Sequence, residues 1–345
     1  MRFMKDDNME NMENMDFLLD DKKLKKAYKK SKFKSTIRTI VIVILVVIPL
    51  YAVFIKVNFR VTNKIRTEYY AQVEKVLEIT KPNTYISMAN DTIGFLGASG
   101  QYTVSKRIGS WKSIDLYDKS SHYGLLDIQE FNHSIMTSSS SGGHKAGEWP
   151  VNFDRSGNLT MMTFHPDIEY KEYKNDIALL NKVSPDSLLE MTISLDKKYK
   201  VSEITDILPR VQISELLIDG YTNEEMEKYK KEASEYDGKA TFIPEYYFIR
   251  LKATKMFNTD SFLDVTDNYD KFLDNLQFDF KDVYYKNKFS NIYSTLKTKD
   301  QLDLNKLDII GVVITGSSEE LESLKSNSHI TASSVGIITK DIIFK

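Results

Sequence analysis

Phe164-His165-Pro166-Asp167 sets an imidazole two residues from a carboxylate, a pairing able to move protons in general acid–base chemistry. No nucleophile accompanies it, so a structural turn is the expected role. His122, His133 and His144 flank a serine-rich stretch without the spacing of metal ligands and are expected to be ordinary surface histidines. Thr315-Gly316-Ser317-Ser318 follows an apolar run and opens a helical pattern. Helix N-termini attract anions, so Gly316, Ser317 and Ser318 form a candidate anion site, although helix capping alone accounts for the serines. Glu190 and Asp196 near a strand carry no specific signal. The chain has no Gly-x-Ser-x-Gly elbow, Walker loop or His-Glu-x-x-His. It has no cysteine, which removes thiolate nucleophiles, cysteine-zinc sites and disulfides. These readings imply no catalytic residues, no metal, no cofactor and no enzyme activity.

The elements that carry these residues follow a segment of another kind. Thr39 to Ile55 contains no charge, and thirteen of its seventeen residues are Ile, Val, Leu or Phe. As a helix, Ile37–Ile55 spans about 28 Å, close to the ~30 Å hydrocarbon thickness of a bilayer. Insertion of those thirteen residues is favoured by roughly 4–8 kcal/mol. Pro49 is tolerable in such a helix and is a place for a kink. A buried core helix would intersperse polar positions, and a cleaved signal would be shorter with a small-residue cleavage site, so a signal anchor is expected.

Residues 1–21 carry seven acids and two bases, and residues 22–38 carry nine bases and no acid. Only Lys56, Arg60, Lys64 and Arg66 closely follow the apolar run. This bias, with Lys29, Lys30, Lys32, Lys34 and Arg38 nearest the membrane, places residues 1–36 in the cytoplasm and 56–345 outside. The basic stretch has two uses, attraction to anionic lipid and docking of a cytoplasmic protein. Docking would rest on Phe17, Leu18, Leu24 and Tyr28, within an expected helix over 16–34. Residues 8–15, NMENMENM, read as disordered, and a later methionine could be the start. The basic cluster is pressed against the membrane, so direct nucleic-acid binding is not expected. Net charge is -2, with 41% hydrophobic and 12% aromatic residues, as in a folded chain.

Beyond the span, 63–80 reads as an amphipathic helix with Ile65, Tyr69, Val73 and Val76 on one side, stopped by Lys81-Pro82-Asn83. Strand-like pieces broken by Gly94, Gly97, Gly100 and Gly109 run from 85 to 111. Ser138–Gly143, SSSSGG, reads as a mobile loop. Periodicity then predicts helices over 170–180, 201–208 and 261–276, the last with Phe262, Val265, Phe272 and Leu276 inward. It predicts strands over 188–195, 213–218, 246–251, 309–315 and 334–344. Ser317 and Glu320 fit a capping box opening a short helix to Lys325. The expected fold is an α+β extracytoplasmic domain after a single transmembrane helix. Its expected parts are a cytoplasmic segment (1–36), a span (37–55), a membrane-proximal helix and first subdomain (56–140), and a C-terminal α+β domain (141–345).

Several motifs share their order with a known family. Leu24-Lys25-Lys26-Ala27 through Lys32-Phe33-Lys34-Ser35-Thr36-Ile37-Arg38-Thr39-Ile40 resembles the start of bacterial sigma factor regulators. Pro82-Asn83-Thr84-Tyr85-Ile86-Ser87, Gly94-Phe95-Leu96-Gly97 and Tyr102–Gly109 are similar to motifs further along. So are Gly157 to Pro166 with Tyr170, Tyr173, Asn175 and Asp176, then Glu190 with Ser194–Tyr199, and Gly311–Gly316 with Glu320-Leu321. The resemblance covers about residues 20–345. It implies a membrane-bound anti-sigma-type regulator whose inner end sequesters an extracytoplasmic-function sigma factor and whose outer domain senses the cell envelope. Better-known members have a longer inner region, so a single helix here, or a partner membrane protein, would have to complete the contact. The alternative is an extracytoplasmic binding or envelope-assembly module on an inert anchor.

Overall fold

A computed structural model describes the backbone of residues 6–94, 97–109, 112–124, 140–142, 149–154, 156–185, 187–235, 242–255, 263 and 265–340, with side chains from residue 21 onward except at 140–142 and 254–255. The chain is a mixture of helices and antiparallel sheets behind one long apolar N-terminal helix. Helix α1 (Asp6–Thr80) is followed by strands β1 (Thr84–Ile93), β2 (Gly97–Ile108), β3 (Lys112–Gly124), β4 (Ser140–Gly142), β5 (Val151–Phe153), β6 (Met162–Thr163) and β7 (Ser187–Tyr199). Then come α2 (Ile204–Ile207), β8 (Gln212–Ile218), α3 (Asn223–Glu235), β9 (Ile243–Pro244), β10 (Arg250–Lys255), α4 (Thr266–Leu276) and α5 (Val283–Thr298). The chain closes with β11 (Ile309–Ser317), α6 (Ser318–Glu322) and β12 (Ile330–Lys340).

Residues 1–61 and 62–345 form two compact units. In the first, the helix passes through Pro49 without interruption. The large apolar side chains from Ile40 to Val53 are all exposed, and this stretch is long and apolar enough to cross a membrane.

In the second unit, the last turns of α1 bury Val73, Val76 and Leu77, while Ile65 and Tyr69 are half-buried. The helix stops after Thr80, as the Lys-Pro-Asn sequence predicts, and Asn83 takes a left-handed conformation (φ 56°) that asparagine tolerates. Strands β1, β2 and β3 form a three-stranded meander. The main sheet has five antiparallel strands in the order β10-β8-β11-β7-β12. Its central strand, Ile-Ile-Gly-Val-Val-Ile-Thr-Gly-Ser, is buried at every residue but the last, so both faces of the sheet are covered. Gly311 is needed there because an added Cβ would lie 2.6 Å from the Ile193 carbonyl oxygen.

Five expectations change. Residues 8–15, read as disordered, are helical within α1. Residues 170–176 are irregular, and only a 3₁₀ turn forms at Ile177–Lys182. The backbone there bonds to β12 instead of to itself: Ser333 N–H donates to the Lys174 carbonyl (2.8 Å) and Asp176 N–H to that of Ser333 (3.3 Å). Residues 245–247 form a 3₁₀ turn, and the strand begins only at Arg250. Helix α4 begins at Thr266; Ser261 and Phe262 lie outside the described residues. Within the SSSSGG stretch, Ser140–Gly142 pairs as a strand with Val151–Phe153, while its other residues lie outside the described set. His133 and His144 also lie outside it.

Candidate functional site

The turn that ends α1 is tied to both sheets by a buried ionic cluster. Asn83 N–H donates to Glu215 Oε1 (2.7 Å) on β8, and the Asn83 side-chain amide donates to Glu190 Oε1 (2.8 Å) on β7. Its carbonyl accepts from Arg107 N–H (2.8 Å) on β2. Lys106, also on β2, lies 2.6 Å from Glu190 Oε2 and 2.9 Å from Glu245 Oε1. Glu245 Oε2 in turn accepts from Met161 N–H (2.8 Å). On β10 the Arg250 guanidinium donates to the Glu215 carboxylate and to the Leu77 carbonyl of α1. The Glu190 side chain is 0% exposed and that of Lys106 is 3% exposed, so bulk water screens their attraction very little.

Burial at these positions opposes charge, and the partners oppose burial. Burial pushes the Glu190 carboxyl upward, against the pull of the Lys106 ammonium. Burial alone would lower Lys106, but the Glu190 and Glu245 carboxylates outweigh it and hold the ammonium above the usual lysine range. Lys81, close to the same charges and stacked over Tyr117 (5.2 Å), is pushed down to about 8 by burial, with Glu245 opposing.

Beside this cluster a crevice of about 350 Å³ opens between the end of α1, β1, β10 and α4. Leu77, Ile79, Ile86 and Phe272 supply apolar wall, and Arg250 and Glu215 lie among its lining residues. Helix α1 and α4 are joined across it by the Lys271–Glu78 ion pair and by Lys75 Nζ donating to Asn275 Oδ1 (2.6 Å).

A second charged cluster surrounds His165. Its Nδ1 accepts from Asp167 N–H (3.1 Å), which makes the residue part of the turn expected for it. Its Nε2 faces Asp219 Oδ1 at 3.3 Å. Among the described residues, His165, Asp167 and Asp219 are close enough together to share a metal ion. The cation supplied by the chain itself is Lys198, 2.5 Å from Asp167 Oδ2 and 2.7 Å from Asp219 Oδ2. Lys299 adds a contact of 3.0 Å to Asp219 Oδ1.

At Gly316–Ser318 the groups an anion would use bond to each other. Ser317 N–H donates to Glu320 Oε2 (2.8 Å), Glu320 N–H donates to Ser317 Oγ (3.2 Å), and Ser318 Oγ donates to the Ser184 carbonyl (3.0 Å). The predicted capping box is formed, and α6 is only five residues long. On α1, Leu24 and Tyr28 are 66% and 68% exposed, and Lys29, Lys30, Lys32, Lys34 and Arg38 are exposed. The side chains of Phe17 and Leu18 lie outside the described residues. His122 is exposed on β3, and Asp196 accepts from the Tyr199 hydroxyl (2.8 Å).

Two family models match. The sigma factor regulator N-terminal model covers residues 25–112, and the sigma factor regulator C-terminal model covers residues 180–337. The chain belongs to the sigma factor regulator family. No curated protein and no solved structure matches it. This regulator therefore has a role in controlling sigma factors, and its family is a regulatory one. The buried cluster takes Asn83 and Lys106 from the N-terminal match, and Glu190, Glu215, Glu245 and Arg250 from the C-terminal match.

In the sequence Glu190 carries no specific signal, and Glu215 and Arg250 do not stand out. Glu190, Thr192 and Ser194 alternate with Leu189, Met191, Ile193 and Leu195, the pattern of a strand with one wet face. Here the polar face is buried too, under Asn83, Lys106 and the segment 161–164. Glu215, set beside Leu216, Leu217 and Ile218 in a predicted strand, was the available signal.

Proposed function

We propose that this regulator is a membrane-anchored anti-sigma factor acting by binding and not by catalysis. Residues 1–36 hold an extracytoplasmic-function sigma factor at the inner membrane face, 37–55 span the bilayer, and the domain beyond senses the state of the envelope. The observation that carries the anchoring is the charge-free run Thr39–Ile55, whose large apolar side chains from Ile40 to Val53 are exposed. So large an exposed apolar surface is stable in lipid and not in water. The orientation is supported by nine bases before the run against four soon after it. Exposed Leu24 and Tyr28 supply the apolar face for the sigma factor, and a second membrane protein completes a contact that one helix makes only in part.

The absence of cysteine gives a clean test. Single variants Ser31→Cys and Ser294→Cys, both at exposed positions, are treated in intact spheroplasts with a membrane-impermeant maleimide. Ser294→Cys is expected to label at once and Ser31→Cys only after lysis. The reverse pattern overturns the orientation, and equal labelling of both before lysis overturns the span.

A further inference from the structure

We propose that the crevice at the end of α1 binds a small ligand with an anionic head, carboxylate or phosphate, on an apolar body. Its volume of about 350 Å³ falls at the lower end of the range for small-molecule sites, roughly 300–1,000 Å³. Apolar wall comes from Leu77, Ile79, Ile86 and Phe272, while charge is concentrated in a few side chains.

The balance of those charges selects the sign of the ligand. Glu215 is occupied by Arg250 and by Asn83 N–H, and Glu78 is occupied by Lys271 and by the Asn275 amide (2.8 Å). Of the remaining lining groups, Arg107 and Lys252 are cationic and only Glu74 is anionic. Arg107 lies over the Tyr85 ring (5.2 Å), and among the described residues no carboxylate pairs with Arg107 or Lys252. Arg250, 2% exposed, lines the crevice, and its Nε–H has no hydrogen-bond partner among the described residues. Its other nitrogens are fixed by Glu215 and the Leu77 carbonyl, so the guanidinium is held in place in advance. Held there, the guanidinium adds fixed positive charge to the crevice wall, which favours an anion at little ordering cost. A cation would meet two unpaired positive groups against one carboxylate. Because Glu74, Leu77 and Glu78 belong to α1, the ligand would touch the helix and the main sheet together. This site stands whether or not residues 1–36 hold a sigma factor.

The test uses the full chain in nanodiscs of deuterated lipid and saturation-transfer NMR. The probes are hexanoate and hexyl phosphate, compared with the neutral hexanamide and the cationic hexylamine. The two anions, or one of them, should bind at least about tenfold more tightly than the amide and the amine, and the stronger one identifies the head group. Arg107→Glu with Lys252→Glu should abolish that preference, the milder Arg107→Gln with Lys252→Gln should weaken it, and Lys297→Glu, which changes the charge on α5 by as much as the glutamine pair does, should leave it intact. Equal binding of the amide or amine, no binding of either anion, or a preference that survives both double variants overturns the proposal.

Discussion

Lys106→Met is expected to destabilise the folded domain by about 3–5 kcal/mol near pH 7, the usual cost of removing one partner from a buried ion pair. Methionine fills much of the same volume, so lost packing contributes little. What remains is Glu190, 0% exposed, beside Glu245, 14% exposed, with their shared cation gone. Burial and the neighbouring carboxylate then both push the Glu190 carboxyl further above its ordinary value of 4.5. A carboxyl with a raised folded-state pKa binds a proton that the unfolded chain does not hold. The variant therefore regains stability as pH falls through that raised value and loses it as pH rises. Urea unfolding of the full chain, followed by tryptophan fluorescence, should show a larger deficit at pH 8 than at pH 5. Adding Glu190→Gln should recover part of the loss, because the two sites touch and their effects are not additive. A deficit independent of pH would mean that Lys106 matters for packing and not for charge.

Asp219→Asn is the second large expected effect, and its deficit also closes in acid, but because the wild type loses stability there. Burial alone would raise the Asp219 carboxyl. The facing His165 imidazole and the Lys198 and Lys299 ammonium groups outweigh burial and hold it well below its ordinary value of 3.8. Asparagine keeps the shape but removes the carboxylate that Lys198 and Lys299 share. The expected loss near pH 7 is about 2–3 kcal/mol, less than for a fully buried pair because both lysines reach water. A depressed carboxyl contributes stability that is present above pH 3.8 and is lost as pH falls through its folded-state value. Thermal melts should therefore separate wild type from Asp219→Asn fully at pH 7, with the gap closing in acid. A gap that widens on acidification would contradict the assigned charge state.

The parts of the fold legible in the sequence are those specified by local chemistry. The apolar run of β11, the Ser317–Glu320 box and the Lys-Pro-Asn stop of α1 each depend on neighbours within a few residues. Helices α3 and α5 were equally local and were overlooked. Thr222 and Glu225 form a capping box, with Thr222 N–H donating to Glu225 Oε2 (2.7 Å), and Asp282 caps α5 through Tyr284 N–H (2.8 Å). Tyr285, Phe289, Ile292 and Leu296 also recur at helical spacing on a buried face. The segment 170–176 shows the opposite case, since its periodic tyrosines predict a helix that bonds to Ser333 prevent. The ionic cluster was illegible for a different reason. Asn83 and Glu190 are 107 residues apart, and Lys106 and Glu245 are 139 apart. No local pattern reports which distant side chain will cover a polar strand face.

The central claim is that the exposed inner part of α1 meets a sigma factor. It is tested most directly by replacing Leu24 or Tyr28 with a photo-crosslinking amino acid in the full-length chain, irradiating intact cells and identifying the captured protein from purified membranes. The account predicts a sigma factor crosslinked at both positions and none at an equivalent probe placed at Ser294. Crosslinks to lipid or unrelated proteins alone, or a sigma factor captured equally at Ser294, would contradict it.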